Sequence, residues 1–243
     1  MEEIKRIKKI SIWIFIIPIV TINLCLFIAV NGHLLQETIF QVDPIGRTSF
    51  TIPYIDGGVS ISRTARTYPA YLLFKPGMII TAILLIQYWM ANSKLFNKID
   101  NQTKKKQYFL IFGVGSAVFL IIHSIFLGIN FEISIYKFLR RFVLLGFIIF
   151  EIAAQTLLVI NIVRAKTSLK PYINNKILLL KIILVSIMII VAILSVPILN
   201  SEENAQFKHL LEWDYFLGVI SFYLLTYLFW RRREPSVHTP EGV

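Results

Sequence analysis

The chain has 243 residues, of which 56% are hydrophobic and 16% charged, and its mean hydropathy is +0.68. A soluble domain of average composition has about 25% charged residues, so almost nothing remains here for a domain in water. The formal net charge of +11 could suggest nucleic acid. In so apolar a chain, basic residues that flank membrane spans and meet anionic lipid explain that charge better. We expect no nucleic-acid partner.

Six apolar runs follow one another along the chain. Each holds about 18–25 residues, which is what a helix needs to cross a hydrocarbon core of about 30 Å. The runs cover residues 10–30, 71–91, 108–129, 139–163, 177–199 and 213–230. The sequence therefore predicts an all-α, polytopic membrane protein with six transmembrane helices, in which residues 10–230 form one membrane domain.

The segments outside these runs are short, with one exception. Residues 31–70 form a loop of about 40 residues between the first two runs, a length typical of functional or locally folded loops. Pro76 lies at the mouth of the second run and predicts that this helix begins near Met78. Residues 1–9 form a short N-terminus. The tail 231–243 has no apolar pattern, so we expect it to be disordered.

Lysine and arginine are distributed unequally between the two sides of the predicted bundle. Sixteen lie on the side of both termini and eight on the other, while Lys181 lies within a run. Since basic residues concentrate in cytoplasmic segments, we predict that both termini are cytoplasmic and that the loop 31–70 is outside. Lys181 is near the cytoplasmic end of the fifth run, so we expect its flexible stem to carry the amino group to the headgroups.

Two ionisable residues fall deep within the runs, where a charge costs several kcal/mol unless a partner or water compensates it. Glu151 lies near the middle of the fourth run, and Gln155 follows one turn later on the same helical face, which must point into the bundle. His123 lies in the outer half of the third run. The depths of His123 and Glu151 differ by about 7 Å at a rise of about 1.5 Å per residue, so the two can be in contact.

Two interpretations of His123 and Glu151 remain open. In the first they are catalytic residues, a general acid and base that act on a lipid ester or amide. In the second they form a buried hydrogen-bonded pair that holds two helices together. Gly113 and Ala117, four residues apart in the third run, indicate close helix packing in either case.

Charged residues also gather on the outer side, several of them at the ends of the runs. Arginine binds phosphate through parallel hydrogen bonds, so a basic rim would suit a lipid headgroup. The candidate ligand-binding residues are Asp56, Arg63, Arg66, Arg140, Arg141, Gln155 and Asp214. The alternative is a ring of unrelated, solvated charges at the interface.

Sequence motifs for other chemistry are absent. The chain has no P-loop, no HExxH, no Cys/His cluster with zinc spacing and no G-x-S-x-G elbow. Its single cysteine, Cys25, excludes an intrachain disulfide. We therefore expect neither a metal nor a cofactor.

One stretch of the loop 31–70 resembles a known family. Ile52-Pro53-Tyr54-Ile55-Asp56 is followed by Ser60-Ile61-Ser62, by Arg63 and by Tyr68-Pro69. This stretch is similar to the first outer loop of the Frag–DRAM–Sfk group of six-span proteins, in which a Pro-aromatic-Ile/Ser stretch and a later Tyr-Pro precede the second span. The resemblance implies lipid-related roles: remodelling of lipid-anchored proteins, phospholipid distribution or regulation of membrane traffic.

Three functions stand as hypotheses. The first is a lipid-handling protein that binds or helps remodel a phospholipid or lipid-anchored substrate from the outer-leaflet side, with the headgroup near Arg63, Arg66 and Arg140. The second is an intramembrane enzyme that uses His123 and Glu151 as an acid/base pair. The third is a non-catalytic scaffold or regulatory subunit that binds a partner membrane protein. The chain has no visible internal repeat, which disfavours a solute transporter.

Overall fold

The computed structural model describes residues 2–35, 37–40, 51–99, 107–128, 134–200 and 204–231, without the side chains of 134–138, 140, 141 and 196–200. The side chains of Arg140 and Arg141, two candidate ligand-binding residues, therefore lie outside the described part. The expectation of a disordered tail also falls outside it, apart from Arg231.

Within the described residues the secondary structure is helical, apart from one isolated bridge between Ile173 and Trp230. The α-helices are α1 (Glu2–Val30), α2 (Pro53–Asp56), α3 (Ile61–Ala65), α4 (Ala70–Ile99), α5 (Tyr108–Phe126), α6 (Ser134–Arg164), α7 (Lys166–Leu169), α8 (Asn175–Asn200) and α9 (Ala205–Phe229). Two short 3-10 helices cover Gly32–Leu35 and Lys170–Tyr172. The prediction of an all-α chain is confirmed for this part.

Among the described residues, five helices are long and apolar enough to cross a membrane. They are α1, α4, α5, Phe142–Arg164 within α6 and Asn175–Ser195 within α8. The chain is therefore an integral, multi-pass membrane protein, as the sequence predicts. Helix α9 corresponds to the sixth apolar run and is not one of the five; its first turns carry Lys208, Glu212 and Asp214.

The long helices pack around an aromatic centre. Helix α1 packs against α4 and α9, α5 lies against both α4 and α6, and α8 lies against α9 and α6. The Tyr88 ring of α4 meets the rings of Trp89 and Tyr223 edge-on, with centroids 5.0 Å apart in each pair. Such edge-to-face contacts are favoured by the charge distribution of aromatic rings. All three side chains are fully buried, so they join α4 to α9 in the core.

The first and last helices meet at the end of the bundle that carries both termini. The Lys8 amino group donates to the Trp230 carbonyl oxygen at 3.2 Å and lies 4.8 Å from the centre of the Tyr227 ring. Glu3 and Lys98 form an ion pair at 3.3 Å, which joins α1 to α4. Polar contacts thus fasten α1 to both of its neighbours at this end.

Helix α4 begins at Ala70 and includes Pro76, so the prediction of a start near Met78 was wrong. A proline removes one backbone hydrogen bond from a helix, but membrane helices tolerate it because neighbouring groups compensate for the loss. The extra turns at the start of α4 bring its buried Phe74 to the level of α3, against which α4 packs.

The described part of the loop between α1 and α4 is anchored on α9. Helix α2 ends at Gly57, whose φ of 57° is left-handed, and a Cβ atom at this position would lie 2.0 Å from the Gln206 carbonyl oxygen. Only glycine fits that conformation and that approach. Two residues further on, the Trp213 indole nitrogen donates to the Val59 carbonyl oxygen at 2.8 Å. The loop therefore forms a layer over one end of the bundle.

Small residues permit close contact between α4 and α5. A Cβ atom at Gly113 would lie 2.3 Å from the Trp89 ring. Ala117, one turn away on α5, is fully buried. Small side chains let membrane helices approach closely enough for dispersion contacts to hold them together. The predicted packing role of Gly113 and Ala117 is confirmed.

We predict that Gly113→Ala lowers the free energy of unfolding by about 1–3 kcal/mol, the usual cost of overpacking a core. The added methyl group would overlap the ring of Trp89, which is fully buried and has no room to move aside. Thermal unfolding of the purified protein in detergent measures this effect. Gly218→Ala is the matched control, because its nearest neighbour is the flexible Met188 side chain at 3.3 Å. Equal melting temperatures for the two variants would contradict the prediction.

Candidate functional site

A cavity lies inside the bundle between α1, α4, α5, α6 and α9, beneath the short helix α3. Its volume is about 100 Å³, and it is partly open to the outside. That volume is smaller than the about 300–1,000 Å³ of pockets that hold drug-sized ligands, so the cavity is narrow. The apolar side chains in its wall include Ile14, Ile22, Phe74, Met78, Leu85, Leu120, Leu144, Phe147, Ile148, Val219 and Ile220.

The cavity is elongated along α9. Glu212 and Ser62 line the end nearest α3, which we call the α3 end, and Tyr223 lines the opposite, inner end. Eleven residues of α9 separate Glu212 from Tyr223, which corresponds to about 16 Å at 1.5 Å per residue. Thr81 also lies in the wall, but its hydroxyl group donates to the Gly77 carbonyl oxygen at 2.8 Å. The wall between the two ends is therefore predominantly apolar.

Glu212 holds α3 at the α3 end of the cavity. Its Oε1 atom accepts hydrogen bonds from the Ser62 backbone N–H at 3.1 Å and from the Ser62 hydroxyl at 2.8 Å. Burial raises the pKa of the Glu212 carboxyl group above its usual range, while the Ser62 hydrogen bonds and nearby His209 act in the opposite direction. The sequence prediction did not select Glu212 as a site residue. The sequence did contain a pattern that could have identified it. Glu212 lies three and four residues before Tyr215 and Phe216, on the same helical face, and all three line the cavity.

A buried polar cluster closes the inner end. Glu151 is fully buried, and its carboxylate accepts hydrogen bonds from the Ser116 hydroxyl at 2.5 Å, from the Gln155 amide at 3.0 Å and from the Tyr223 hydroxyl. The Gln155 amide also donates to the Val219 carbonyl oxygen at 3.3 Å. The cluster therefore joins α5, α6 and α9. The prediction that Glu151 and Gln155 face the bundle interior is confirmed.

His123 and Glu151 occupy different surroundings. The His123 side chain is buried and lines the cavity, toward its α3 half. The hydrogen bonds of the Glu151 carboxylate come instead from Ser116, Gln155 and Tyr223, and Glu151 is not part of the cavity wall. The catalytic role of His123 and Glu151 stays a prediction. Their arrangement favours a structural role for the glutamate.

Lys181 does not extend to the bundle surface, so the prediction that its amino group reaches the headgroups was wrong. The side chain is fully buried, and its Nζ atom donates to the Thr226 hydroxyl at 2.7 Å. The rings of Phe222 and Phe229 lie 3.9 Å and 5.4 Å from the same atom, measured to their centres. Aromatic faces and a hydroxyl group thus replace the water around this cation. Phe222, Thr226 and Phe229 lie on one face of α9. Their spacing in the sequence is the pattern that could have predicted a buried partner for Lys181.

The other candidate ligand-binding residues whose side chains are described do not line the cavity. Asp56 accepts a hydrogen bond from the Gly58 backbone N–H at 2.7 Å and so holds the end of α2. Arg63, Arg66 and Asp214 are exposed and do not contribute to the cavity wall. Among the described residues, no group of three or more His, Cys, Asp or Glu side chains could hold a metal ion. The binding role of these residues stays a prediction.

We predict that Glu151→Leu lowers the free energy of unfolding by at least about 2 kcal/mol, because each buried donor left without an acceptor costs about 1–3 kcal/mol. Glu151→Gln, which keeps one acceptor oxygen for Tyr223 or Ser116, should cost less. Chemical or thermal unfolding in detergent measures both. Thr156→Val is the control, since the Thr156 hydroxyl donates only within its own helix, to the Ile152 carbonyl oxygen at 2.6 Å. A Glu151→Leu protein as stable as this control would contradict the structural role of the cluster.

The fold and site can be compared with known proteins. No protein-family model, no curated protein and no solved structure matches this chain. The functional argument therefore rests on the cavity and on the residues that line it.

Proposed function

We propose that this protein is a lipid-handling membrane protein that binds a phospholipid or a lipid-anchored substrate from the outer-leaflet side, with one acyl chain in the cavity. The apolar wall of that cavity is the observation that carries the proposal. An acyl chain lacks hydrogen-bonding groups and gains only dispersion contacts, which aliphatic and aromatic side chains supply in number. Proteins of the Frag–DRAM–Sfk group, which the loop resembles, have lipid-related roles of this kind.

The length of the cavity supports an acyl chain as its occupant. The distance of about 16 Å between its two ends follows from the rise of α9. Half of a hydrocarbon core of about 30 Å, the depth of one leaflet, is about 15 Å. A bound chain would therefore lie at the depth of the outer-leaflet chains, with its headgroup at the level of α3.

The proposal includes six membrane crossings and cytoplasmic termini. Helix α9 has 25 residues and packs against α1 and α8, two of the five apolar helices. Its charged residues Lys208, Glu212 and Asp214 precede the apolar run 213–230 or lie at its start, so they fall at the membrane surface. Sixteen of the 25 Lys and Arg residues lie on the side that carries the termini, which supports a cytoplasmic location for that side.

The cavity favours lipid binding over the intramembrane enzyme. Glu151 does not line the cavity. A proton from its carboxyl group would therefore have to pass through the Tyr223 hydroxyl before it reached a bound substrate. The buried cluster around Glu151 serves helix assembly, which a scaffold would share with a lipid-binding protein. Lipid occupancy of the cavity therefore discriminates between these functions.

We predict that Ile148→Trp removes most of the lipid that co-purifies with the protein. Ile148 lines the cavity, so the larger indole fills space that an acyl chain would occupy. Native mass spectrometry of the detergent-purified protein measures the retained lipid. Ile149→Trp is the matched control, because the neighbouring Ile149 is 53% exposed on the outside of the bundle. Equal lipid retention by Ile148→Trp, Ile149→Trp and the wild-type protein would contradict the proposed function.

We predict that Ala205→Cys reacts with a membrane-impermeant thiol reagent in intact cells, whereas Arg231→Cys reacts only after permeabilisation. Both residues are exposed, and they lie at opposite ends of α9. The native Cys25 is buried, and replacing it with alanine gives a background without thiols. Labelling of both positions from the same side would contradict a sixth crossing. Labelling of Arg231→Cys alone in intact cells would contradict the orientation.

A further inference from the structure

The α3 end of the cavity contains an acidic side chain, Glu212, which has His209 nearby but no lysine or arginine partner within the described part of the chain. Glu212 lines the cavity and accepts two hydrogen bonds from Ser62, but no ion pair to a lysine or arginine is formed there. His209 lies near it, and its Nδ1 atom is 3.0 Å from the Gly57 carbonyl oxygen. A charged group in an apolar wall is costly unless a partner of opposite charge or hydrogen-bond donors compensate it.

We propose that the cavity selects lipids whose headgroup carries an amine or ammonium group, and that Glu212 binds this positive charge. This inference rests on the proposed function, because it names the class of lipid that the cavity takes. A headgroup at the α3 end is next to Glu212, so its cation can pair with the carboxylate. A lipid whose headgroup is only anionic brings a second negative charge to the same place.

The residues around Glu212 fit such a headgroup. Tyr215 and Phe216 lie three and four residues further along α9 and line the same cavity. Their rings offer faces that attract an ammonium group, an interaction that strengthens when water is excluded. Arg63 follows Ser62 directly and is exposed on the outside of α3. Arginine binds phosphate well, so Arg63 is the basic residue on α3 that we propose for the phosphate next to the ammonium group.

The charge of Glu212 can be removed by mutation while its hydrogen bonds to Ser62, which hold α3, are kept. In Glu212→Gln the amide oxygen still accepts from the Ser62 backbone N–H and hydroxyl, so α3 keeps its anchor while the negative charge is lost. Asp214→Asn is the matched control, since Asp214 is exposed on the same helix and absent from the cavity wall. Each variant removes one negative charge, so a general effect of net charge would appear in both.

The experiment measures how the purified full-length protein binds phosphatidylethanolamine, phosphatidylcholine and phosphatidylglycerol with identical acyl chains, by native mass spectrometry. The wild-type protein and Asp214→Asn should prefer the first two over phosphatidylglycerol. Glu212→Gln should lose about tenfold of that preference, as expected for one hydrogen bond to a charged group. Melting temperatures check that each variant is folded.

Three results would overturn the inference. They are equal binding of all three lipids by the wild-type protein, an unchanged preference in folded Glu212→Gln, and an equal loss in Asp214→Asn. The first of these is measured on the wild-type protein and therefore decides the matter even if Glu212→Gln does not fold. If the lipids bind equally and Ile148→Trp still removes them, the headgroup inference fails and the proposed function stands. If the wild-type protein retains none of them, the proposed function fails as well.

Discussion

The structure depends on the energetic cost of placing a carboxylate in the middle of an apolar bundle. Glu151 is fully buried, so hydrogen-bond donors from the protein must take the place of water. Ser116 on α5, Gln155 on α6 and Tyr223 on α9 supply these donors. Their positions fix how three helices are rotated about their axes. Because Tyr223 also closes the inner end of the cavity, the same hydrogen bonds determine how deep a ligand can enter.

Helix α9 connects the parts of the molecule that differ most in polarity. At one end Trp213 and Glu212 hold the loop layer, through Val59 and Ser62. At its centre it forms one wall of the cavity, and further along Thr226 accepts a hydrogen bond from the buried Lys181. An entirely apolar helix would provide none of these contacts. This mixed character explains why α9 is not among the five helices whose length and composition alone suit a membrane crossing.

The sequence predicts the helices and the inward direction of Glu151 and Gln155 better than it predicts which residues surround a buried polar group. Apolar runs locate the long helices because length and hydropathy are local properties. The inward direction of Glu151 and Gln155 also follows from local properties. The two residues are four positions apart on one helical face, and exposing a carboxyl group to lipid costs several kcal/mol. Lys181 shows the limit of this reasoning. Its position within the apolar run follows from the sequence, but the direction of its side chain depends on the aromatic rings of α9, which pack against it in the folded protein. Glu212 shows the same limit, since only the docking of α3 places it in a cavity wall.

The contact between Lys8 and the Trp230 carbonyl oxygen joins segments from opposite ends of the chain. Membrane helices are inserted in the order in which they are synthesised, so α1 is in place long before α9 exists. During that time the side of α1 that α9 later covers faces lipid, which an apolar surface tolerates at little cost. The cavity has no complete wall until the last helix arrives. The cavity is therefore a late product of assembly, and a chain truncated before α9 would retain its other long helices but would not enclose the cavity.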